Sequence, residues 1–149
     1  MSEENPIRIF VSHVWQPNDE YFRVLEYLES ARNFYYKNCS SPDQNPGTDK
    51  ETMRACVRGE IEKSEVVILL SSLFAEHTTW MDFQLNAARA MKRPIIALPP
   101  FGGEGIHAAL ADKAEEIAQW NPRSIEDAIR RCARHQDTQR WDVIEWDPD

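Results

Sequence analysis

An unbroken run of five apolar residues, VVILL from Val66 to Leu70, constrains the fold of this chain more than any other feature. Alternation of apolar and polar residues is typical of a strand with one face in water. An unbroken run indicates a strand that is covered on both faces. Such strands occur in parallel sheets with helices packed on both sides. The run therefore predicts an α/β protein with a central parallel sheet.

The rest of the sequence alternates between strand and helix patterns. Further strands are predicted at residues 7–11 (IRIFV), 34–37 (FYYK), 95–98 (IIAL) and 116–120. Helices are predicted at residues 20–31 with Asp19 as the cap, 51–63, 78–92, 106–110, and 124–134 with Ser124 and Asp127 as a capping box. Five βα units in about 135 residues predict a flavodoxin-like sheet of order 2-1-3-4-5 with helices on both faces.

The length of 149 residues predicts a single domain, with a core at about residues 7–135. Residues 136–149 form an acidic tail with two tryptophans, and its pattern fits either an edge element or docking through the aromatic rings. Residues 39–50 contain two Pro, one Gly and six Ser, Asp, Asn or Thr, which predicts a long surface loop.

Charge and cysteine content narrow the possible partners. The chain has 25 acidic and 17 basic residues, a net charge of −8, which argues against nucleic acid and against an anionic membrane surface. Three cysteines without a C-x-x-C pair and four histidines without an H-x-x-x-H pair predict neither a disulfide framework nor a metal site. No apolar run approaches the ~20 residues that span a bilayer, and the N-terminus is acidic, so we expect a soluble, cytoplasmic protein.

The predicted topology also locates a site. Ligands of such sheets bind beyond the carboxyl ends of the strands, where the strand order reverses between strands 1 and 3. This rule places residues 12–15, the pair Ser71-Ser72 and the start of the Trp80 helix around one crevice.

Taken one at a time, the residues near this crevice have ordinary explanations. Ser12 and His13 are adjacent and point in opposite directions on an extended chain, and there is no G-x-S-x-G motif, so a hydrolase triad is disfavoured. Trp15 fits either a lid over the domain's own edge or a stacking surface for a ring. The FGGEG segment at 101–105 fits a surface loop better than a phosphate loop. By spacing alone, Gln84 is a solvated helix residue.

Six segments in register carry a family resemblance. They are RIFVSHVW-x3-D-x-Y, R-x-x-I-x-x-S-x-V-V-I-L-L-S-S, T-T-W-x3-Q-L-x-x-A, RPIIAL-P-P-F-G and W-N-x-x-S-I-x-x-A-I, with a polar loop after the first. In this order they resemble the TIR-like proteins of bacteria and archaea, in particular the stand-alone group with the TIR component of the Thoeris antiphage system. The resemblance runs from about Ile7 to Arg131.

The resemblance implies a flavodoxin-like TIR domain whose loop at 39–50 corresponds to the BB loop, which gates the pocket and mediates self-association. Enzymatic TIR domains cleave NAD⁺, release nicotinamide, and form ADP-ribose or a cyclic ADP-ribose-type second messenger. In Thoeris that messenger activates a separate effector protein. NAD⁺ is then the substrate, and neither a metal nor a separate cofactor is implied.

The resemblance also implies site residues. The family pattern is W-x-x-x-E on the third helix; Trp80 matches it, and Gln84 stands at the position of the catalytic glutamate. From their places after strand 1 and near the crevice, the expected substrate-binding residues are Phe10, Ser12, His13, Trp15, Ser41, Ser72 and Trp80. A carboxylate stabilises positive charge on the ribose as the glycosidic bond breaks, and the loss of one such group commonly costs on the order of 10²- to 10⁴-fold in rate.

Three explanations for Gln84 stay open at this point. The protein is a non-catalytic TIR, or the chain carries a deliberate Glu-to-Gln change, or Asp82 supplies the charge. The last is disfavoured because two residues along a helix turn a side chain by roughly 200°.

Two other classes of function compete with NAD⁺ processing. An interaction module that assembles through the loop at 39–50 needs no carboxylate, which fits Gln84. A base-exchange enzyme of the deoxyribosyltransferase type shares a strand-1 pocket but needs a carboxylate. A receiver domain is excluded because the first and third strands end in Ser12 and Ser71 rather than in acidic residues.

Overall fold

Five strands form one parallel sheet at the centre of the structure. They are β1 (Ile7–Val11), β2 (Tyr36–Asn38), β3 (Val66–Leu70), β4 (Ile95–Leu98) and β5 (Glu116–Ile117). Their order is β2-β1-β3-β4-β5, with every neighbouring pair parallel, so the predicted flavodoxin-like topology is confirmed. This computed structural model describes residues 2–43, 47, 49–103 and 105–135. The predicted acidic tail at 136–149 and residues 44–46 and 48 of the predicted loop lie outside them.

Six helices connect and cover the strands within the described residues. They are α1 (Asp19–Glu29), α2 (Lys50–Lys63), α3 (Ser71–Glu76), α4 (Thr78–Ala90), α5 (Ala108–Ala111) and α6 (Pro122–Arg134). The sequence pattern does not predict helix α3, because six residues are too few to show a helical period and no side chain caps its N-terminus.

The three central strands of the sheet, β1, β3 and β4, are largely buried, whereas the edge strands β2 and β5 are partly exposed. All five residues of β3 have no exposed surface, and Ile9, Phe10 and Val11 of β1 are equally buried. Successive side chains of a strand point to opposite faces, so complete burial requires a layer of helices on each side. The interpretation of VVILL as a central parallel strand is confirmed.

Two predicted helix caps are wrong. Asn18, not Asp19, caps α1: its side chain accepts a hydrogen bond from the backbone N–H of Tyr21 at 2.9 Å, and Asp19 is the first helical residue. Asn121 caps α6 by accepting from the backbone N–H of Ser124 at 2.8 Å. In both cases the capping residue is an extended asparagine one to three residues earlier than predicted.

Two strand boundaries also differ from the prediction. β2 begins at Tyr36, which pairs with Ile7 of β1, whereas Phe34 precedes the strand and packs into the core. β5 ends at Ile117 rather than near Trp120. The sequence pattern marks these strands, but pairing with the neighbouring strand decides where each one starts and ends.

Glu65 joins the last helix to the amino end of the sheet. Its carboxylate accepts hydrogen bonds from Nε and the backbone N–H of Arg8, both at 3.1 Å, and from Nη2 of Arg134 at 3.0 Å. Burial by itself raises the pKa of Glu65, but the hydrogen bonds from Arg134 and Arg8 outweigh it and lower the pKa to about 2. The folded state therefore stabilises the charged form.

Replacing Glu65 with Gln removes the charge that Arg8 and Arg134 share. We expect the free energy of unfolding at neutral pH to fall by about 1–3 kcal/mol, the range for hydrogen bonds to charged groups. The folded pKa lies below the ordinary value of 4.5, so the stabilisation is complete above that value and is lost as the pH falls toward 2. Urea denaturation at several pH values measures the difference.

Glu76→Gln, at an exposed position at the end of α3, is the matched control and should leave the stability unchanged. A loss in Glu65→Gln that persists unchanged in acid would contradict the role of the charge.

Candidate functional site

The carboxyl ends of β1 and β3 are joined by Ser12. Its backbone N–H donates to the carbonyl of Ile68 at 2.9 Å, and its Oγ accepts from the backbone N–H of Leu70 at 3.0 Å. The side chain has no exposed surface. Ser12 therefore extends the strand pairing and fixes the direction in which the chain leaves β1 at the point where the strand order reverses.

A cavity of about 470 Å³ opens next to this point. It lies between the start of α1 and the segment that follows β2. Its walls combine aromatic rings with polar groups, including Trp15, Tyr21, Phe22, Asn38, Ser40 and Asp43. Apolar walls with a few convergent polar groups are typical of small-molecule sites, and the volume lies in the range of such sites.

A hydrogen-bonded triangle forms one wall of the cavity. The hydroxyl of Tyr21 lies 2.7 Å from Oγ of Ser40 and accepts from Nδ2 of Asn38 at 2.8 Å, while Ser40 bonds Oδ1 of Asn38. Burial raises the pKa of Tyr21 against the lowering effect of these two partners. The phenol therefore stays neutral, and the triangle holds the segment after β2 against α1.

Trp15 lines the cavity in a strained backbone conformation. Its φ is +57°, in the left-handed region that bulky residues rarely adopt. Its ring makes edge contacts with His13, at a centroid distance of 4.9 Å, and with Trp80, at 5.5 Å. Strain of this kind persists only where the surroundings enforce it, and here the two ring contacts hold the side chain in place.

Gln84 is fully buried, so its interpretation as a solvated helix residue is wrong. It lies on the inner face of α4, and its Nε2 donates to the backbone carbonyl of His13 at 2.7 Å. Its Oε1 is buried and has no hydrogen-bond partner among the described residues. The amide therefore ties α4 to the segment after β1 through one end and leaves an acceptor at the other.

His13 forms a buried pair with Glu60, a residue that sequence reasoning missed. Nε2 of His13 lies 3.1 Å from Oε1 of Glu60, and the two side chains are 1% and 10% exposed. When Glu60 is ionised its carboxylate only accepts, and Nε2 of His13 is then the donor of this hydrogen bond. The sequence does contain a pattern that indicates this burial. Glu60 stands next to Ile61 and three residues after Val57, which places it on the buried face of α2.

Three buried polar atoms on neighbouring side chains around His13 have no hydrogen-bond partner among the described residues. They are Nδ1 of His13, Nε1 of Trp15 and Oε1 of Gln84. An unsatisfied buried polar group costs about 1–3 kcal/mol, so a further hydrogen-bond partner at each of these atoms would be stabilising. Nε1 of Trp15 is a donor and Oε1 of Gln84 is an acceptor.

The structure brings some of the predicted site residues together and separates others. Trp15, His13, Trp80 and Gln84 form one cluster through the contacts above, and Phe10 contacts the His13 ring at 5.7 Å. Phe10 and Ser12 have no exposed surface in this conformation. Ser72 donates to Oε1 of Glu20 at 2.7 Å, and Ser41 lies half-buried between two residues that line the cavity. The roles of all these residues in substrate binding stay predictions.

A metal site, a cysteine nucleophile and a membrane-spanning helix find little support in the described part of the chain. Residues 2–43, 47, 49–103 and 105–135 contain no group of three His, Cys, Asp or Glu that is arranged to hold a metal ion. Burial raises the pKa values of the Cys39, Cys56 and Cys132 thiols, that of Cys132 to about 12, which disfavours a cysteine nucleophile. No helix in these ranges is both long enough and apolar enough to cross a membrane.

A parallel sheet of this order, with helices on both faces, defines an α/β domain of the flavodoxin-like class. Residues 10–103, which include the cluster at Trp15, Trp80 and Gln84, match the family model described as Thoeris protein ThsB, TIR-like domain. The chain belongs to this family, as the sequence resemblance predicted.

Comparison with solved structures shows a related fold. The chain is similar to a 2-deoxyribosyltransferase from the psychrotolerant bacterium Bacillus psychrosaccharolyticus, with a TM-score of 0.53 and 13% identity over 78% of this chain and 90% of that one. At this identity the likeness shows the fold alone. A comparison with curated proteins gave no match.

Gln84→Glu would place a carboxylate oxygen against the carbonyl of His13 in place of the amide N–H. At about pH 8 we expect the free energy of unfolding to fall by about 1–3 kcal/mol, because two acceptors face each other and a charge is buried. Burial favours the protonated carboxyl, which can donate to the carbonyl, so the loss should shrink at about pH 5. Urea denaturation at both pH values measures the effect.

The exposed Gln119→Glu is the matched control for the added charge. If Gln84→Glu is as stable as the wild type at both pH values, the hydrogen bond to His13 does not hold the site in this form.

Proposed function

We propose that this protein binds NAD⁺ in the cavity beside Trp15 and releases nicotinamide from it, as a member of an antiphage-defence family of TIR-like domains. The observation that carries the proposal is the cluster of three unpartnered polar atoms behind a cavity of ligand size. By this proposal Gln84 occupies the catalytic position, and the predicted substrate-binding residues act in and around the cavity.

The cavity suits the nicotinamide riboside part of NAD⁺. The faces of Trp15, Tyr21 and Phe22 offer surfaces for a planar ring, and the unpartnered donor and acceptor suit ribose hydroxyls. Under this proposal, a ligand hydroxyl reaches Gln84 when the Trp15 side chain moves out of its contacts with His13 and Trp80. In this scheme Trp15 closes the site when it is free and contacts the ribose when it is occupied.

The reaction breaks the bond between the pyridine nitrogen and the ribose carbon, and the electron pair leaves with nicotinamide. The positive charge that develops on the ribose is quenched by the oxygen of water, which then loses a proton, giving ADP-ribose. Attack by a group of the same molecule gives a cyclic product instead. Gln84 offers only a dipole to this charge, whereas Glu60 places a buried carboxylate one hydrogen bond behind His13. Turnover should therefore be slow.

The test follows nicotinamide release from NAD⁺ by chromatography with the wild type and Gln84→Glu. We expect the Gln84→Glu variant to be faster by about 10²- to 10⁴-fold, because a carboxylate stabilises the ribose charge that an amide does not. Trp15→Ala should weaken NAD⁺ binding in both backgrounds, and Gln119→Glu should change nothing. Equal rates for the wild type and Gln84→Glu would show that another residue carries the chemistry.

A second candidate is a protein-interaction module without chemistry. The hydrogen bond from Gln84 to the His13 carbonyl favours it, since the amide already has a structural use. An interaction module would self-associate through the loop at residues 39–50. The enzyme would instead act on a separate effector protein through a nucleotide messenger. In either case we expect the protein to work in the cytoplasm. Absence of NAD⁺ binding together with self-association that a change in this loop abolishes would favour the module.

A further inference from the structure

A second cavity lies between α2 and α4, away from the one assigned to nicotinamide. It has a volume of about 170 Å³ and is lined by Lys50, Arg54, Thr79, Trp80 and Phe83. None of these residues lines the larger cavity. Two cationic side chains thus meet two aromatic rings and a hydroxyl in a space large enough for phosphate groups.

The cations belong to a stripe along α2. Lys50, Arg54 and Arg58 follow one another at four-residue spacing, so they lie on one face of the helix. The guanidinium of Arg58 lies 5.6 Å from the ring centroid of Phe83, so the stripe faces α4. Three cations therefore share one face of α2, with the acidic Glu51 paired to Arg54 and Glu62 four residues after Arg58.

These cations are available to a ligand. Among the described residues, Lys50 has no ion-pair or hydrogen-bond partner on its side chain. Arg54 pairs with Glu51 at 3.2 Å, but the two side chains are 36% and 72% exposed, and such surface pairs contribute little. An anion with several oxygens can replace Glu51 without a large penalty.

The neighbouring aromatic residue narrows the class of anion. Trp80 is half-buried, contacts Phe83 at 5.8 Å, and leaves part of its ring on the cavity. A phosphate that is joined to a ribose and a planar base uses the cations and the ring together, whereas a free phosphate uses only the cations. The lining therefore fits the phosphate groups of a nucleotide.

Trp80 also connects the two cavities. It lines the cavity between α2 and α4, and it contacts Trp15, which lines the larger one. A dinucleotide with its nicotinamide end beside Trp15 can extend past this tryptophan pair and bring its diphosphate toward α2. In this respect the inference rests on the proposed function, although the phosphate site can be tested without it.

We propose that the cavity between α2 and α4 binds the phosphate groups of a nucleotide, with Lys50 and Arg54 as charge partners and Trp80 as the apolar wall. Lys50 and Arg54 neutralise the phosphate oxygens, and the hydroxyl of Thr79 donates a hydrogen bond. The site sets which nucleotides the protein accepts, because a ligand without phosphate makes none of these contacts.

The test compares the wild type with the double variant Lys50→Gln/Arg54→Gln by calorimetric titration of ADP, NAD⁺, nicotinamide riboside and inorganic phosphate. We expect the Kd for ADP and for NAD⁺ to rise at least about ten-fold in the double variant, and the Kd for nicotinamide riboside to stay unchanged. ADP should bind the wild type more tightly than inorganic phosphate does, and more weakly at high salt. Arg32→Gln, an exposed arginine outside the stripe, is the matched control.

The outcomes separate this site from the proposed function. If ADP does not bind the wild type, or binds both proteins equally, the phosphate site is overturned. Equal affinity for ADP and inorganic phosphate overturns the nucleotide as its ligand. If nicotinamide riboside does not bind and NAD⁺ binds no more tightly than ADP, but the binding of both still depends on Lys50 and Arg54, the phosphate site stands and the proposed function fails. The thermal unfolding midpoint of the double variant confirms that it folds.

Discussion

The pairing of β1 with β3 governs where polar groups can lie in this protein. β1 and β3 are buried at every position except Arg8, which lies near the amino end of β1 and pairs with Glu65. A polar side chain within the buried stretch of either strand would carry a cost. Polar chemistry is therefore confined to the ends of the strands. Ser12 continues the pairing by one residue and sends the chain out at the reversal of strand order, where His13 and Trp15 follow. The position of the site is a consequence of the burial of the sheet.

The cluster of His13, Trp15 and Gln84 beside the cavity contains energetically unfavourable features. Trp15 has a positive φ, and three buried polar atoms in the cluster lack partners among the described residues. The network of Glu65 at the opposite end of the sheet is fully engaged by contrast, with Arg8 and Arg134 both bound to its carboxylate. Positive φ and an unpartnered buried atom are found at Lys92 and Arg93 as well, but His13, Trp15 and Gln84 supply three of the four unpartnered buried side-chain atoms among the described residues.

The hydrogen bond of Gln84 changes how this residue is understood. In the sequence alone, Gln84 occupies a position where the family resemblance implies a charged glutamate. In the structure its amide N–H meets a backbone carbonyl that a carboxylate would repel. A buried carboxyl group close by comes from Glu60 on another helix, which pairs with His13. The hydrogen bond to the His13 carbonyl therefore gives Gln84 a structural use that the sequence does not show.

The class of fold and the strand order can be predicted from the sequence, because burial and period are local properties that residues such as Val66 to Leu70 display directly. The location of a ligand site at the carboxyl end of the sheet stays a prediction. The family also follows from segments in register, and the match over residues 10–103 confirms it. The burial of Gln84, the pairing of Glu60 with His13 and the capping of α1 by Asn18 emerge only from the folded structure. These facts depend on atoms that are distant in sequence or on the local path of the backbone, and no periodic pattern records either.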